Sequence, residues 1–416
     1  MTSRRTLLKG AAGAAAGLVA ARLAEALPTA PQDSAAVTRP LVPEDPTAVT
    51  GAPTSAVGSR SPFVEVARTP TGLTEGTSKT PLERLSGTIT PSDLAFERHH
   101  AGIPAIDPAR HRLVVHGRVA RPTEFTLDDL QRFPHVVRPH FIECAGNGRA
   151  AFRDPKPTMT PQQIDGQLLN CEWTGVRLRD VLAEVGMDPA ASWMLAEGGD
   201  ACRLARSVPV WKALDDALLV WGQNGEPLRP EAGYPLRLLV PGWEGNINVK
   251  WLRRLELGSA PWMTRWETSK YTDPVLGDVA RQFTFEQDVK SIITAPSHPA
   301  TLSPGPLTIS GLAWSGRGTI TRVEVSTDGG RSWREAELVG REHPKAVARF
   351  LLPWRWDGAS TVLVSRAHDS SGDTQPDRRA LRAARGAGTD YHFNELRAWR
   401  IAASGAVTFA NAELWS

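Results

Sequence analysis

The residues with the clearest chemical potential surround one thiol. Cys144 closes the apolar run Phe141-Ile142-Glu143 and is followed at once by Ala145-Gly146-Asn147-Gly148-Arg149. A strand would here hand a thiol to a tight, glycine-permitted loop whose backbone lets a bulky ligand come close. With Arg149 nearby, a thiolate so held is a soft ligand for a transition metal. Alone, a cysteine at such a place is more often a small buried hydrophobe, so its company decides. Upstream stands Phe96-Glu97-Arg98-His99-His100. Downstream come a glycine-studded phrase, 241–252, and Glu267-Thr268-Ser269-Lys270-Tyr271-Thr272. The adjacent histidines suggest zinc only superficially: neighbouring side chains point apart, and no third ligand has suitable spacing.

The 416 residues suffice for two or three domains with cores of their own. The balance, 41% apolar and 22% charged with 33 Pro and 36 Gly, favours strands and loops over long helices. A net charge of +3 is accounted for by Arg4, Arg5, Lys9 and Arg22 against Glu25, so no basic face is implied and nucleic acid is not an expected partner. Residues 1–26, basic and then mildly apolar with small residues at the end, resemble a twin-arginine export signal. That resemblance implies export in a folded state to the periplasm and no membrane span after removal of the signal. Three cysteines, Cys144, Cys171 and Cys202, make no disulfide framework. Without any C-x-x-C, covalently attached haem, zinc ribbons and iron–sulfur clusters are not expected in this chain.

Residues 27–85 are rich in Pro, Thr, Ala and Ser without periodicity and read as an arm or linker. The expected domain over 86–285 mixes short strands and helices: strands at 112–117, 136–144, 193–197, 234–242 and 249–257, and helices at 125–133, near 178–182 and at 210–220. This is an α+β pattern. No glycine fingerprint opens a helix, so dinucleotide and P-loop sites are excluded. Over 286–405 strands follow one another without helices, at 307–314, 320–326, 346–352 and 361–367, with a hairpin at Asp328-Gly329-Gly330. That spacing fits an immunoglobulin-like sandwich, a module that binds or pairs subunits more often than it does chemistry.

Taken in order, these phrases resemble the sulfite oxidase family of molybdenum enzymes from about Ile89 to about Trp399. Within the family they are most similar to the SoxC subunits of sulfane dehydrogenases, through the phrases at 96–100, 143–148, 241–246, 249–254 and 267–273. The resemblance implies a molybdopterin-binding domain holding one pyranopterin molybdenum cofactor, then an all-β dimerisation domain and a homodimer. It makes Cys144 the protein thiolate on the metal and Tyr271 the active-site phenol. Arg98 and Arg149 would line an anion pocket, where a guanidinium fork suits sulfur oxyanions. Phe96, Arg98, His100, Asp200, Arg237, Asn248 and Lys250 would contact the cofactor. Cys171 and Cys202 have no family role, and packing is expected of both.

The implied reaction is oxygen transfer to reduced sulfur, with electrons leaving to a c-type cytochrome on another chain. Three departures bear on the substrate. Asn246-Ile247 stand where sulfite oxidases proper carry Ala-Arg, Ala232 replaces a histidine, and an arginine pair is reduced to Gly148-Arg149. Each makes the pocket less cationic or roomier, favouring sulfane sulfur on a carrier protein's cysteine over a small free dianion. The alternatives are a periplasmic sulfite dehydrogenase and a non-catalytic relative that keeps only the fold.

Overall fold

The computed structural model describes residues 50–275, 279–340 and 342–410. The expected signal, 1–26, and the start of the arm, 27–49, lie outside the described residues. The chain forms two units, 1–62 and 63–416. Residues 50–62 are exposed and contain neither strand nor helix.

In the second unit, the later part of the arm is structured despite its aperiodic sequence. Thr69–Gly72 and Gly76–Lys79 form a hairpin whose inner strand pairs with Glu97–His99. The partner strand, not a local pattern, makes these residues extended.

Two five-stranded sheets build the α+β domain. In one, His135–Glu143 pairs with Leu168–Arg177, which pairs with Leu218–Gln223; Glu226–Pro227 and Arg237–Leu239 complete it. In the other, Leu252–Gly258 lies between Leu113–Gly117, its parallel neighbour, and Trp193–Gly198; Thr123–Phe125 and Ala205–Pro209 form the edges. Leu113, Val115, Val176, Leu219, Leu238, Leu252 and Leu255 belong to one buried cluster. Their removal from water is the main stabilising term, about 1.5–3 kcal/mol for each fully buried large side chain.

Helices are short. Leu127–Leu130 begins at Thr126, whose hydroxyl accepts from Asp129 N while the Asp129 carboxylate accepts from Thr126 N. The helix expected at 210–220 stops early: Val210–Asp215 is helical, but Leu218–Gln223 is a central strand. Ladders on both of its edges override the amphipathic period of Leu218-Leu219-Val220. The strand expected at 234–242 contracts to Arg237–Leu239, and that at 249–257 begins only at Leu252. Trp251 takes a φ of +53°, so Val249-Lys250-Trp251 forms a turn.

From Lys290 the chain is a sandwich, but not without helices as expected: Arg378–Arg385 is helical, capped by Asp377, whose side chain accepts from Ala380 N. Lys290–Ala295, Gly305–Trp314, Ala348–Trp356 and Glu337–Val339 face a sheet of Arg334–Glu335, Ile320–Ser326, Thr361–Asp369, Ala398–Ile401 and Val407–Phe409. Its core of Ile292, Ile309, Trp314, Phe350 and Trp399 is continuous with Phe141, Ile164 and Leu168 of the first domain. The two domains therefore share apolar interior, and the strand leading to Cys144 is anchored in it.

Candidate active site

Cys144 follows the last residue of His135–Glu143 and is half-buried and unbonded to other cysteines. Its N–H donates to Gln167 O at 3.0 Å, and its carbonyl accepts from Asn147 N at 2.9 Å. The sandwich domain holds the flanking backbone: His392 N donates to Ala145 O at 2.9 Å, and Gln287 Nε2 to Glu143 O at 3.1 Å. Gly148 has a φ of +92°, and a Cβ there would press on Arg397, Asp165 and Phe393. An arginine at 148 would meet the same obstruction in this backbone.

Two cavities meet at this thiol. A narrow one is lined by Phe96, Arg98, His100, Cys144, Asp200, Arg237, Asn248, Lys250 and Tyr271. A wider one, about 800 Å³, is lined by Arg149, Trp262, Arg265, Trp266, Lys270 and Tyr391 among others. Arg98, His100, Cys144 and Tyr271 line both. Tyr271 sits at the junction with a φ of +50°. Its hydroxyl is 3.0 Å from His100 Nε2, and Arg206 lies 5.0 Å from its ring centroid.

The electrostatics follow from burial. Desolvation and then Arg98 push His100 down to about 4. Desolvation and then Cys144 push the Tyr271 phenol up. Near pH 7 both partners are therefore neutral, and the phenol keeps its proton. Burial also raises the Cys144 thiol, against the Gly146 N–H, Arg98 and Arg149; a bound cation would be what stabilises its thiolate. Arg237 is buried, with Nη1 donating to Ala232 O at 3.0 Å, while Nε has no hydrogen-bond partner among the described residues. Burial brings it down to about 10, so it stays cationic.

The other expected residues differ in how free they are. Lys250 Nζ reaches His99 Nδ1 at 2.8 Å, Glu231 O at 3.1 Å and Arg98 O at 3.2 Å. His99 Nε2 bonds Glu97 at 2.7 Å, so Glu97, His99 and Lys250 form one chain along the narrow cavity. Asn248 braces its own loop, accepting from Val240 N and donating to Glu244 O and Trp243 O. The Asp200 carboxylate takes the Cys202 thiol at 2.8 Å and Leu204 N at 3.2 Å. Cys171 is fully buried and accepts from Gln223 Nε2 at 3.0 Å.

Arg98 meets Glu75 at 3.2 Å. Arg149 donates to Asp390 O through Nε at 3.0 Å and Nη2 at 2.5 Å, with the Asp390 carboxylate 3.8 Å away. Sequence reasoning missed Glu75, Arg206, Asp390 and Tyr391. Arg206 is buried against Glu267 at 3.0 Å and Glu244 at 3.7 Å, with Asn246 also bonded to it. No motif marks Glu75 or Arg206, whereas Asp390-Tyr391-His392 is a cluster of chemically capable residues visible in the sequence. Tyr391 donates no ligand to the narrow cavity yet lines the wide one, and its hydroxyl accepts from Tyr271 N at 3.2 Å. The sandwich domain thus helps line the site, beyond the binding or pairing of subunits expected of it.

One free thiol at the meeting of two cavities, a buried arginine with an unused donor and a half-buried lysine suit an anionic organic cofactor that brings most of its own metal ligands. Among the described residues no group of three or more His, Cys, Asp or Glu could hold an ion by itself. The chain belongs to the sulfite oxidase family of molybdenum oxidoreductases. Residues 100–266 match the oxidoreductase molybdopterin binding domain, and 281–397 the Mo-co oxidoreductase dimerisation domain.

Among its relatives, sulfite oxidase of Gallus gallus is 34% identical over 313 residues, 70% of this chain and 68% of that one. Mitochondrial sulfite oxidase of Mus musculus is 34% identical over 319 residues; the match takes in 70% of this chain and 58% of the relative's length. The crystal structure of the sulfane dehydrogenase SoxCD from Paracoccus pantotrophus superposes with a TM-score of 0.84 at 42% identity, over 89% of this chain and 98% of that chain.

Proposed function

We propose that this chain is the molybdenum subunit of a SoxC-like sulfane dehydrogenase. It oxidises sulfane sulfur carried on a partner protein's cysteine and passes the electrons to a separate c-type cytochrome subunit. The observation that carries this reading is the likeness to SoxCD at 42% identity over 98% of that chain, against 34% for the sulfite oxidases. The dimerisation domain supports a homodimer, and the twin-arginine-like start supports work in the periplasm.

When bound, the pyranopterin molybdenum cofactor supplies two-electron oxygen-atom transfer at sulfur. Cys144 would ligate the metal. Phe96, Arg98, His100, Asp200, Arg237, Asn248 and Lys250 would surround the cofactor, with Arg237 Nε offering an unused buried donor to its anionic part. Asn248 acts by holding its loop. Tyr271 holds a proton at its hydroxyl, which His100 Nε2 orients across 3.0 Å. The wide cavity admits a sulfur at the end of a peptide, while Arg265 and Lys270 on its wall attract an anionic group.

The test is molybdenum content of the exported protein beside Cys144→Ser, then turnover on a persulfidated carrier and on free sulfite with cytochrome c reduction as readout. Full molybdenum and preference for the carrier fit the proposal. Preference for sulfite would select the second reading, a periplasmic sulfite dehydrogenase, which the sulfite oxidase relatives and the two arginine forks favour. Protein without molybdenum from a cofactor-competent host would sink both and leave a binding protein.

A further inference from the structure

Each arginine expected to bind substrate anion is matched by an acid from outside the molybdopterin-binding segment. Glu75 precedes that segment, which matches the family over 100–266, and Asp390 lies in the dimerisation domain. Arg98 is braced through Nη1 by Gly76 O and His99 O, leaving Nη2 for Glu75 Oε1 at 3.2 Å. Glu75 also stands 3.8 Å from His100 Nδ1. Its side chain is 70% exposed while that of Arg98 is 27% exposed, so the acid covers the guanidinium from the solvent side of the wide cavity. Arg98 holds the Glu75 carboxyl below its usual range, which keeps it charged at neutral pH. Arg149 is held by Asp390 through the carbonyl and, at 3.8 Å, the carboxylate, which also binds Arg153 at 2.5 Å.

We infer that Glu75, assisted by Asp390, is a specificity-determining residue that screens the anion-binding arginines and disfavours small free dianions at the metal end of the cavity. This rests on reading Arg98 and Arg149 as anion-pocket residues. A free dianion must displace Glu75 or endure its charge within a few ångströms of the site. A sulfur carried on a thiol brings less charge to that point and is repelled less, while the exposed Arg265 and Lys270 still draw an anionic partner to the cavity.

The experiment titrates the molybdenum-loaded protein with sulfate, a non-oxidisable dianion, and follows the fluorescence of Trp262 and Trp266 in the cavity wall, with ionic strength held by chloride. Glu75→Gln keeps shape and hydrogen bonding while removing the charge, and Glu124→Gln, exposed on an edge strand, controls for net charge. Glu75→Gln should bind sulfate roughly three- to tenfold tighter, with the gain shrinking as salt is raised. Asp390→Asn should give a smaller gain, because the Asp390 carbonyl continues to hold Arg149. Sulfate affinity of Glu75→Gln equal to wild type, or a gain matched by Glu124→Gln, overturns the inference. Because sulfate binding is independent of which sulfur compound is oxidised, a tighter Glu75→Gln in an enzyme that ignores the carrier would refute the proposed function and leave this inference standing.

Discussion

Replacing Lys290 by methionine should destabilise the protein and loosen its hold on molybdenum together. Lys290 begins the first strand of the sandwich, yet its ammonium is buried 3.0 Å from Glu143 Oε1 and 2.6 Å from Asp165 Oδ1. Glu143 immediately precedes Cys144 and accepts from Trp314 Nε1 at 2.7 Å and Asn147 Nδ2 at 2.9 Å. Asp165 accepts from Arg397 Nε at 3.1 Å. Burial raises the Asp165 carboxyl, but Arg397 and Lys290 outweigh it and hold the group below its usual value. Methionine keeps the length and loses the charge, so two buried carboxylates are left with Arg397 as the remaining cation beside Asp165. Breaking a buried pair in this way costs about 3–5 kcal/mol. The assay is urea unfolding at neutral pH, read as a midpoint shift at unchanged slope, beside molybdenum per chain. Adding Glu143→Gln should recover part of the loss, because the two residues are directly coupled. The deficit should also shrink as pH falls through the lowered folded-state value of Asp165, where the wild-type pair is lost as well. A Lys290→Met protein within about 1 kcal/mol of wild type, carrying full molybdenum, would refute the idea that the sandwich braces the thiol loop electrostatically.

Tyr271→Phe removes the hydroxyl facing His100 and should lower kcat by about a hundredfold while molybdenum content stays unchanged; undiminished turnover would exclude the phenol from proton handling. Gly148→Ala places a Cβ at a φ of +92° against Arg397, and should cost about 1–3 kcal/mol; an unchanged melting temperature would contradict the crowding. Burial pushes His392 down, but the hydrogen bond to Glu244, 2.7 Å long, and that carboxylate's charge together outweigh it and raise the group above its ordinary value. Its stabilising contribution is therefore complete below about pH 6.5 and lost as pH rises through the folded value. Unfolding free energies of wild type and His392→Gln should accordingly converge towards alkaline pH, and a gap independent of pH would be evidence against the pairing.

Much of the architecture was legible because the signals were local. The strand Ile320–Ser326 and the turn at Gly329 and Gly330, with φ of +77° and +92°, follow from alternation and from glycine's freedom at positive φ. The Thr126 cap was readable for the same reason. The helix expected at 210–220 failed because neighbours on both edges of Leu218–Gln223 outweighed its amphipathic period. The extended form of Thr69–Lys79 was invisible because its sequence lacks alternation and the strands are fixed by pairing with each other and with Glu97–His99.

The same division runs through the site. By itself the chain's order of residues determined the family, the α+β domain followed by a β sandwich, and a set of residues around Cys144, since these depend on motif phrases and short-range periodicity. Only the tertiary structure decided which cations are free. Arg98 and Arg149 look alike as isolated residues, yet one is covered by Glu75 and the other by Asp390, 241 residues further along the chain. Lys250 is engaged with His99, while Arg237 keeps a buried donor unused. Charge compensation depends on distance through space and on exclusion of water, and neither is a property of neighbours along the chain.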